Sequence, residues 1–320
     1  MKELDDIDRN LTKLLRANPS ITNRTLTEKL GISEKNVLSR LSALCEDDRL
    51  KVTAQWDMHS LGLDIAGHVY IHPGSNSIQS VSEKIAEIDE VQSVAEVTGW
   101  PALHVLIVVT NIQEFYAIAD SLPARIPGIR LIETEVACET VKYRSDYGSG
   151  IARDTWTPSI KKLNPRIKLD DFDLDIVSLL QKNARISNRE IARQFNVSET
   201  MVRQRLKKLQ QQSALRKVVV VNPFVFDYGA GAIVRARIGM GQASEYCLKV
   251  STQEHFVAVM KVVGHYNVTM LVLGENLQTI TDEVYDSFSG FSEVGEYTIL
   301  PVIKTYKHRH RLVSLSRSSK

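Results

Sequence analysis

The stretch Ser198-Glu199-Thr200-Met201-Val202-Arg203-Gln204-Arg205-Leu206-Lys207-Lys208-Leu209 carries residue types that recognise a polyanion. Arg and Lys attract phosphate groups, and Arg and Gln can pair bidentately with guanine and adenine edges. Val202, Leu206 and Leu209 recur at helical spacing and turn inward, which leaves Glu199, Thr200, Met201, Arg203, Gln204, Arg205, Lys207 and Lys208 facing outward or sideways. The chemistry on offer is docking rather than bond-making. The sequence has no nucleotide loop GxxxxGK[ST], no GxSxG and no HExxH. His68, His72, His104, His255 and His265 show no ligand spacing, and Cys45, Cys138 and Cys247 lie far apart without a CxxC. No catalytic residue, metal or cofactor is expected. His308-Arg309-His310 could bind metal weakly, but reads better as a solvated tail that touches phosphate.

The same chemistry occurs a second time, in weaker form. Ser33, Glu34, Val37, Arg40, Leu41 and Leu44 stand 165 positions before Ser198, Glu199, Val202, Arg205, Leu206 and Leu209. DDIDRNLTKLLRANPSITNRTL (5–26) aligns with DDFDLDIVSLLQKNARISNREI (170–191) at that offset, and Gly99 with Gly264. A period this long is duplication of a whole protein, not a solenoid repeat.

Each copy must position its basic stretch with three helices. In the first, Asp5 or Asp6 caps a helix that buries Ile7, Leu11, Leu14 and Leu15. A second helix runs from Thr22 or Asn23 to Leu30, Gly31-Ile32 makes the turn, and Ser33 opens the third. The second copy repeats these parts over Phe172–Leu180, Ser187 or Asn188–Phe195, Asn196-Val197 and Ser198–Leu209. Two helices joined by a tight turn, the second amphipathic and opened by Ser, are a helix-turn-helix signal. The bland alternative is a basic amphipathic surface helix, and the recurrence of the whole three-helix unit counts against it.

The pattern then changes to strands: 64–72 and 232–240, a helix at 80–88 or 244–251, two more strands, a helix at 112–122 or 277–288, and a last strand ending near Lys142 or Lys304. The order βαββαβ predicts a ferredoxin-like sheet with helices on one face. The fold class is therefore α+β, in two tandem copies of a helix-turn-helix domain plus a βαββαβ domain. Expected boundaries are 1–52, 53–145, a Gly/Ser/Pro linker 146–166, 167–218, 219–307, and a basic tail 308–320.

Charge separates the copies. The chain of 320 residues has a net charge of +2, but residues 1–150 carry −7 and residues 151–320 carry +9. Within the helical trios, residues 166–217 carry +6 and residues 1–51 carry +1. The second head is expected to dominate phosphate contact. Arg205→Ala is accordingly expected to weaken DNA binding more than Arg40→Ala. The longest apolar run, VLIVV at 105–109, is too short to span a bilayer, and MKELDDIDRN is no signal peptide. A cytoplasmic protein without a membrane partner is expected.

LDDFDLDIVSLLQKNARISNREIARQFNVSETMVRQRLKKLQ and VNPFVFDYG in the second half, with LDDIDRNLTKLLRANPSITNRTLTEKLGISEKNVLSRLSAL in the first, resemble the Lrp/AsnC (leucine-responsive, feast/famine) transcription regulators. VTGWPALHVLIVV and VVGHYNVTMLV resemble that family's ligand-sensing domain. The resemblance covers nearly the whole chain, twice. It implies double-stranded DNA as partner, modulation by an amino-acid-like or other small-molecule effector, and assembly into homo-oligomers, dimers or tetramers of chains. One chain would then act as a covalent pseudo-dimer with unequal heads. The candidate DNA-contacting residues are Ser33, Lys35, Asn36, Ser39, Arg40, Arg189, Ser198, Thr200, Met201, Arg203, Gln204, Arg205 and Lys208.

The family's effector loop runs Gly, any residue, aromatic, Asp. The matching loops here are Gly99-Trp100-Pro101-Ala102 and Gly264-His265-Tyr266-Asn267, and neither has the Asp. They are the candidate effector-binding residues, but Ala102 cannot hold an ammonium group and Asn267 keeps only an amide. That argues against a standard free amino acid; a plain strand-connecting turn is the alternative. Two rival readings of the whole chain remain: a siroheme-decarboxylase-like tetrapyrrole enzyme, which shares this architecture, and a low-specificity DNA architectural protein.

Overall fold

The computed structural model describes residues 4–47, 49–56, 62–143, 167–212, 215–226 and 228–308. The expected linker and basic tail, apart from the backbone of His308 in the last strand, lie outside them. The described residues form two compact units. One gathers 4–56 with 167–226, the other 62–143 with 228–308. Each unit therefore draws on both copies.

The helical unit begins with α1 (Asp6–Ala17), α2 (Asn23–Leu30) and α3 (Glu34–Glu46). Asp5 caps α1 in a reciprocal box with Asp8, which satisfies two amide donors that a helix start leaves free. Gly31 ends α2 at φ 66°, in the left-handed region where a Cβ is strained. The second copy supplies α6 (Asp171–Lys182), α7 (Asn188–Phe195) and α8 (Glu199–Gln211). Asp170 and Asp173 form the same box, and Asn196 takes the left-handed turn at φ 54°.

Two strands not expected from the sequence join these trios. β1 (Leu50–Trp56) and β6 (Leu215–Val221) pair antiparallel over seven residue pairs, from Leu50 opposite Val221 to Trp56 opposite Leu215. Both cross the expected boundaries at 52 and 218 and belong to the helical unit. A short helix, α9 (Pro223–Phe226), follows β6. The ladder lets the core of the first trio, Leu11, Leu15, Leu26, Val37, Leu41 and Leu44, merge with Ala184, Val219 and Val221 of the second copy. Each such leucine contributes about 2 kcal/mol by leaving water. Thr53 Oγ1 donates to the Gln181 carbonyl at 2.9 Å, and Arg185 reaches back to the Ile21 carbonyl at 3.0 Å.

The second unit is a closed eight-stranded barrel. The first copy gives β2 (Ile65–His72), α4 (Ile78–Ala86), β3 (Val91–Val97), β4 (Leu103–Val109), α5 (Ile112–Arg125) and β5 (Arg130–Tyr143). The second gives β7 (Ala230–Ile238), α10 (Ala243–Ser251), β8 (Phe256–Val263), β9 (Val268–Gly274), α11 (Leu277–Phe288) and β10 (Val294–His308). Each copy is the βαββαβ unit the sequence predicts. Around the barrel the order is β10-β3-β4-β2-β5-β8-β9-β7. The two sheets join where β5 pairs with β8 and β10 with β3, so no sheet edge is left open.

Strand alternation sorts side chains to two faces. Val69 and Ile71 pack under α4 and α5, and Ala232, Val234 and Ala236 under α10 and α11. The opposite face turns into the barrel, where Tyr70, Val97, Ile233 and Leu300 meet. Lys142 and Lys307, 165 apart, are both buried, and each ammonium donates to a carbonyl of the helix-to-strand turn it covers, Gln253 and Ile88.

Candidate nucleic-acid interface and cavity

The two helix-turn-helix heads place the expected DNA-contacting residues in two distinct ways. Ser33 and Ser198 are N-caps, accepting from the Asn36 amide at 3.3 Å and the Met201 amide at 3.1 Å. Lys35, Asn36 and Ser39 are exposed on α3, and Arg189 is exposed on α7. Thr200, Met201, Arg203, Gln204 and Lys208 are exposed on α8, over buried Val202, Leu206 and Leu209. Five residues of α8 and three of α3 thus lie on outward helix surfaces.

Arg40 and Arg205 behave differently. Arg40 Nη1 donates to Asp5 at 2.8 Å and to Asp8 at 2.6 Å. Arg205 Nη1 donates to Asp170 at 2.5 Å and to Asp173 at 3.2 Å. Each guanidinium ties the third helix of its trio to the cap of the first. Asp5 and Asp170 titrate below the usual carboxylate range, first because a backbone amide in the capping box donates to them and then through the arginine. The expected contrast between Arg205→Ala and Arg40→Ala on DNA therefore loses its footing. Both arginines hold equivalent structural posts, and the extra positive charge of the second head's third helix resides in Arg203, Lys207 and Lys208, where the first has Leu38, Ser42 and Ala43.

The barrel unit holds the other candidate site. Trp100 and Pro101 from one expected loop, and His265 and Tyr266 from the other, line a single cavity of about 490 Å³. Ile132, Glu133, Arg235, Glu296 and Thr298 complete it. Residues 165 apart, Trp100 with His265, Pro101 with Tyr266, and Glu133 with Thr298, thus face the same space. The remaining loop residues do not line it. Gly99 turns at φ 103°, and Ala102 sits in the strand connection, its amide donating to the Ile71 carbonyl at 3.2 Å. A Cβ on Gly264 would strike Glu135. Asn267 is not an open amide: it accepts from the Ile238 amide at 2.9 Å and donates to the Ile238 carbonyl at 2.7 Å, clamping β7.

The cavity floor was not foreseen. Glu135, fully buried, accepts from Arg235 Nε at 3.1 Å and Nη2 at 2.7 Å, from Tyr70 at 3.0 Å and from Thr269 at 2.9 Å. Arg235 lies between the rings of Tyr70 and Tyr266, 3.8 and 4.2 Å from their centroids, and pairs also with Glu133 at 2.6 Å. Glu133 Oε1 is buried without a hydrogen-bond partner among the described residues. Burial, and then the Glu135 charge, raise the Tyr70 phenol well above its ordinary range. A visible signal existed: Arg235 is a charge within an apolar strand, and Glu133 and Glu135 alternate on one face of β5. Behind this floor His68 Nδ1 and His104 Nε2 lie 2.9 Å apart. Burial lowers His68 to about 4 and His104 well below its ordinary value, with the Arg235 charge adding to both.

These features suit a small polar ligand, since the cavity has the size of a small-molecule site and a few convergent polar groups. Among the described residues no group of three or more His, Cys, Asp or Glu is placed to hold a metal ion, and no helix is long and apolar enough to cross a membrane.

Paired helix-turn-helix heads with a ligand-binding barrel define a class of transcription regulator. Comparison with known proteins agrees. The AsnC-type helix-turn-helix domain matches residues 169–210, a winged helix-turn-helix DNA-binding domain matches 4–51, and the Lrp/AsnC ligand binding domain matches 68–147. The HTH-type transcriptional regulator FL11 of Pyrococcus abyssi is 27% identical over 150 residues, 46% of this chain and 97% of the relative. An uncharacterised HTH-type transcriptional regulator of Pyrococcus horikoshii is 30% identical over 144 residues, 44% of this chain and 90% of its own. The chain belongs to the Lrp/AsnC family. Such relatives span one copy. A solved structure spanning both is the siroheme decarboxylase NirDL, with a TM-score of 0.65 at 17% identity over 97% of this chain and 94% of that one. That is a likeness of fold.

Proposed function

We propose that the chain is a sequence-specific DNA-binding regulator in which one polypeptide does the work of a family dimer. The observation that carries this reading is the β1–β6 ladder, which holds two helix-turn-helix heads in one unit with their third helices exposed. Fusion makes the pairing of the copies intramolecular, so no partner must be found by diffusion. The second head supplies most of the phosphate attraction through Arg203, Lys207 and Lys208. A small-molecule effector enters the cavity between Trp100-Pro101 and His265-Tyr266 and acts on the barrel. Chains assemble further into dimers or tetramers, in the cytoplasm.

The enzymatic alternative would place a tetrapyrrole against histidines. His68 and His104 are buried and neither lines the cavity, which offers only His265. The regulator is therefore the reading taken. Footprinting the purified chain on DNA from upstream of its own gene, at two salt concentrations, tests it. A discrete protected site that fades with salt is expected. Uniform protection along the fragment would instead favour an architectural protein, and retention of a tetrapyrrole with no protected site would favour the enzyme.

A further inference from the structure

The two recognition helices present different chemistry at equivalent places. Residues at i, i+3, i+4 and i+7 share one helix face. On α8 one outward face is Thr200, Arg203, Gln204 and Lys207; on α3 the residues 165 earlier are Lys35, Leu38, Ser39 and Ser42, and all eight are exposed. Leu38, 48% exposed, stands where the second copy has Arg203. Apart from Arg40, locked in its ion pairs, Lys35 is the one cation in α3. The one amide side chain in α3, Asn36, accepts at its Oδ1 from Arg40 Nε at 2.9 Å. That bond holds the amide against its own helix and occupies part of the acceptor that an adenine edge requires.

The second helix keeps those groups free. Gln204 has no side-chain partner among the described residues. Among the described residues Arg203 is held by Glu199 alone, an exposed i,i+4 pair at 2.8 Å, which is weak enough to exchange for a base. An apolar side chain has one apolar target in the major groove, the thymine 5-methyl group. We infer that the chain reads an asymmetric operator, in which Leu38 packs on a thymine 5-methyl group in one half-site while Arg203 and Gln204 pair with purine edges in the other. This rests on the DNA-binding reading above.

The test begins by selecting duplexes from a random library with the full chain, then with Arg203→Ala and Leu38→Ala. The half whose bases relax in Arg203→Ala belongs to the second head. Thymine is next replaced by uracil, one half at a time, which removes only the methyl. In the first head's half the affinity should fall about fourfold per contacted methyl, the worth of one buried methyl group. That sensitivity should vanish in Leu38→Ala, while the uracil response of the second half, where Thr200 and Met201 lie, should not change with that substitution. Leu38→Arg should make the selected site more symmetric. A symmetric site from the unaltered chain, or equal uracil effects in both halves with and without Leu38, overturns the inference and leaves the regulator standing. Failure to enrich any duplex overturns the regulator reading along with it.

Discussion

Removing Arg235 should be among the most damaging single changes in the barrel. Arg235→Met takes from the fully buried Glu135 two of its four hydrogen bonds and its only buried cation, leaving Tyr70 and Thr269 as partners. Leaving a buried charge without its partner costs about 3–5 kcal/mol. Replacing both charges, as Arg235→Met with Glu135→Leu, removes that penalty. It leaves two buried hydroxyls short of an acceptor, at about 1 kcal/mol or more each, while Glu133 loses Arg235 equally in both variants. The double variant should therefore be no less stable than Arg235→Met alone, with a coupling energy of about 2 kcal/mol or more. Urea denaturation of the four chains, followed by circular dichroism, completes the cycle. A loss under about 1 kcal/mol for Arg235→Met, or effects that add within about 0.5 kcal/mol, would refute the argument that this pair secures the barrel interior.

The buried histidine gives a pH dependence of definite sign. His68 titrates at about 4 in the fold and near 6.5 when unfolded, so the unfolded chain binds more protons between those values. Stability should fall as pH drops from above 6.5 through 4, with His68 contributing about 2 kcal/mol at pH 5 and buried His104 adding in the same direction, and His68→Phe should make that slope shallower in urea melts at pH 7 and 5. Arg40→Ala and Arg205→Ala should each destabilise the helical unit by about 1 kcal/mol, as measured by thermal melting, with neither standing apart from the other. Lys207→Ala with Lys208→Ala should lower the slope of log affinity against log salt by about 2, whereas the Lys35→Ala slope should change by about 1 or less.

Much of the helical unit was legible because its signals are local. Ser33, Gly31, Ser198 and Asn196 mark helix starts and turns through their own backbone preferences. The barrel strands were legible from alternation, down to the βαββαβ order. β1 and β6 were not, since each strand's partner lies about 165 positions away and neither carries a turn signal. Sequence distance also hid the bond between Glu135 and Arg235, which lie 100 positions apart on two strands from different copies. The ion pairs of Arg205 were missed for a subtler reason. An outward basic residue on a recognition helix invites a phosphate, but Asp5, Asp8 and Arg40 recur as Asp170, Asp173 and Arg205 at one offset. A repeated triad of opposite charges signals a structural tie. Of the two loops, the sequence located the cavity walls Trp100, Pro101, His265 and Tyr266, while Asn267 was drawn off by the Ile238 backbone.

The barrel interior also shows what fusion permits in evolution. In a dimer of identical chains every substitution arrives twice, and a side chain near the symmetry axis must tolerate its own image. A guanidinium there would meet another guanidinium. Within one polypeptide that constraint lapses. Arg235 and Tyr70 occupy equivalent places 165 apart, and they stack; Glu135 has Leu300 as its counterpart. Each such mismatch works only in the pairing of unlike halves, so it makes a return to identical partners costlier. Splitting the gene would then yield two products that need each other, and duplication becomes a ratchet toward heterodimers.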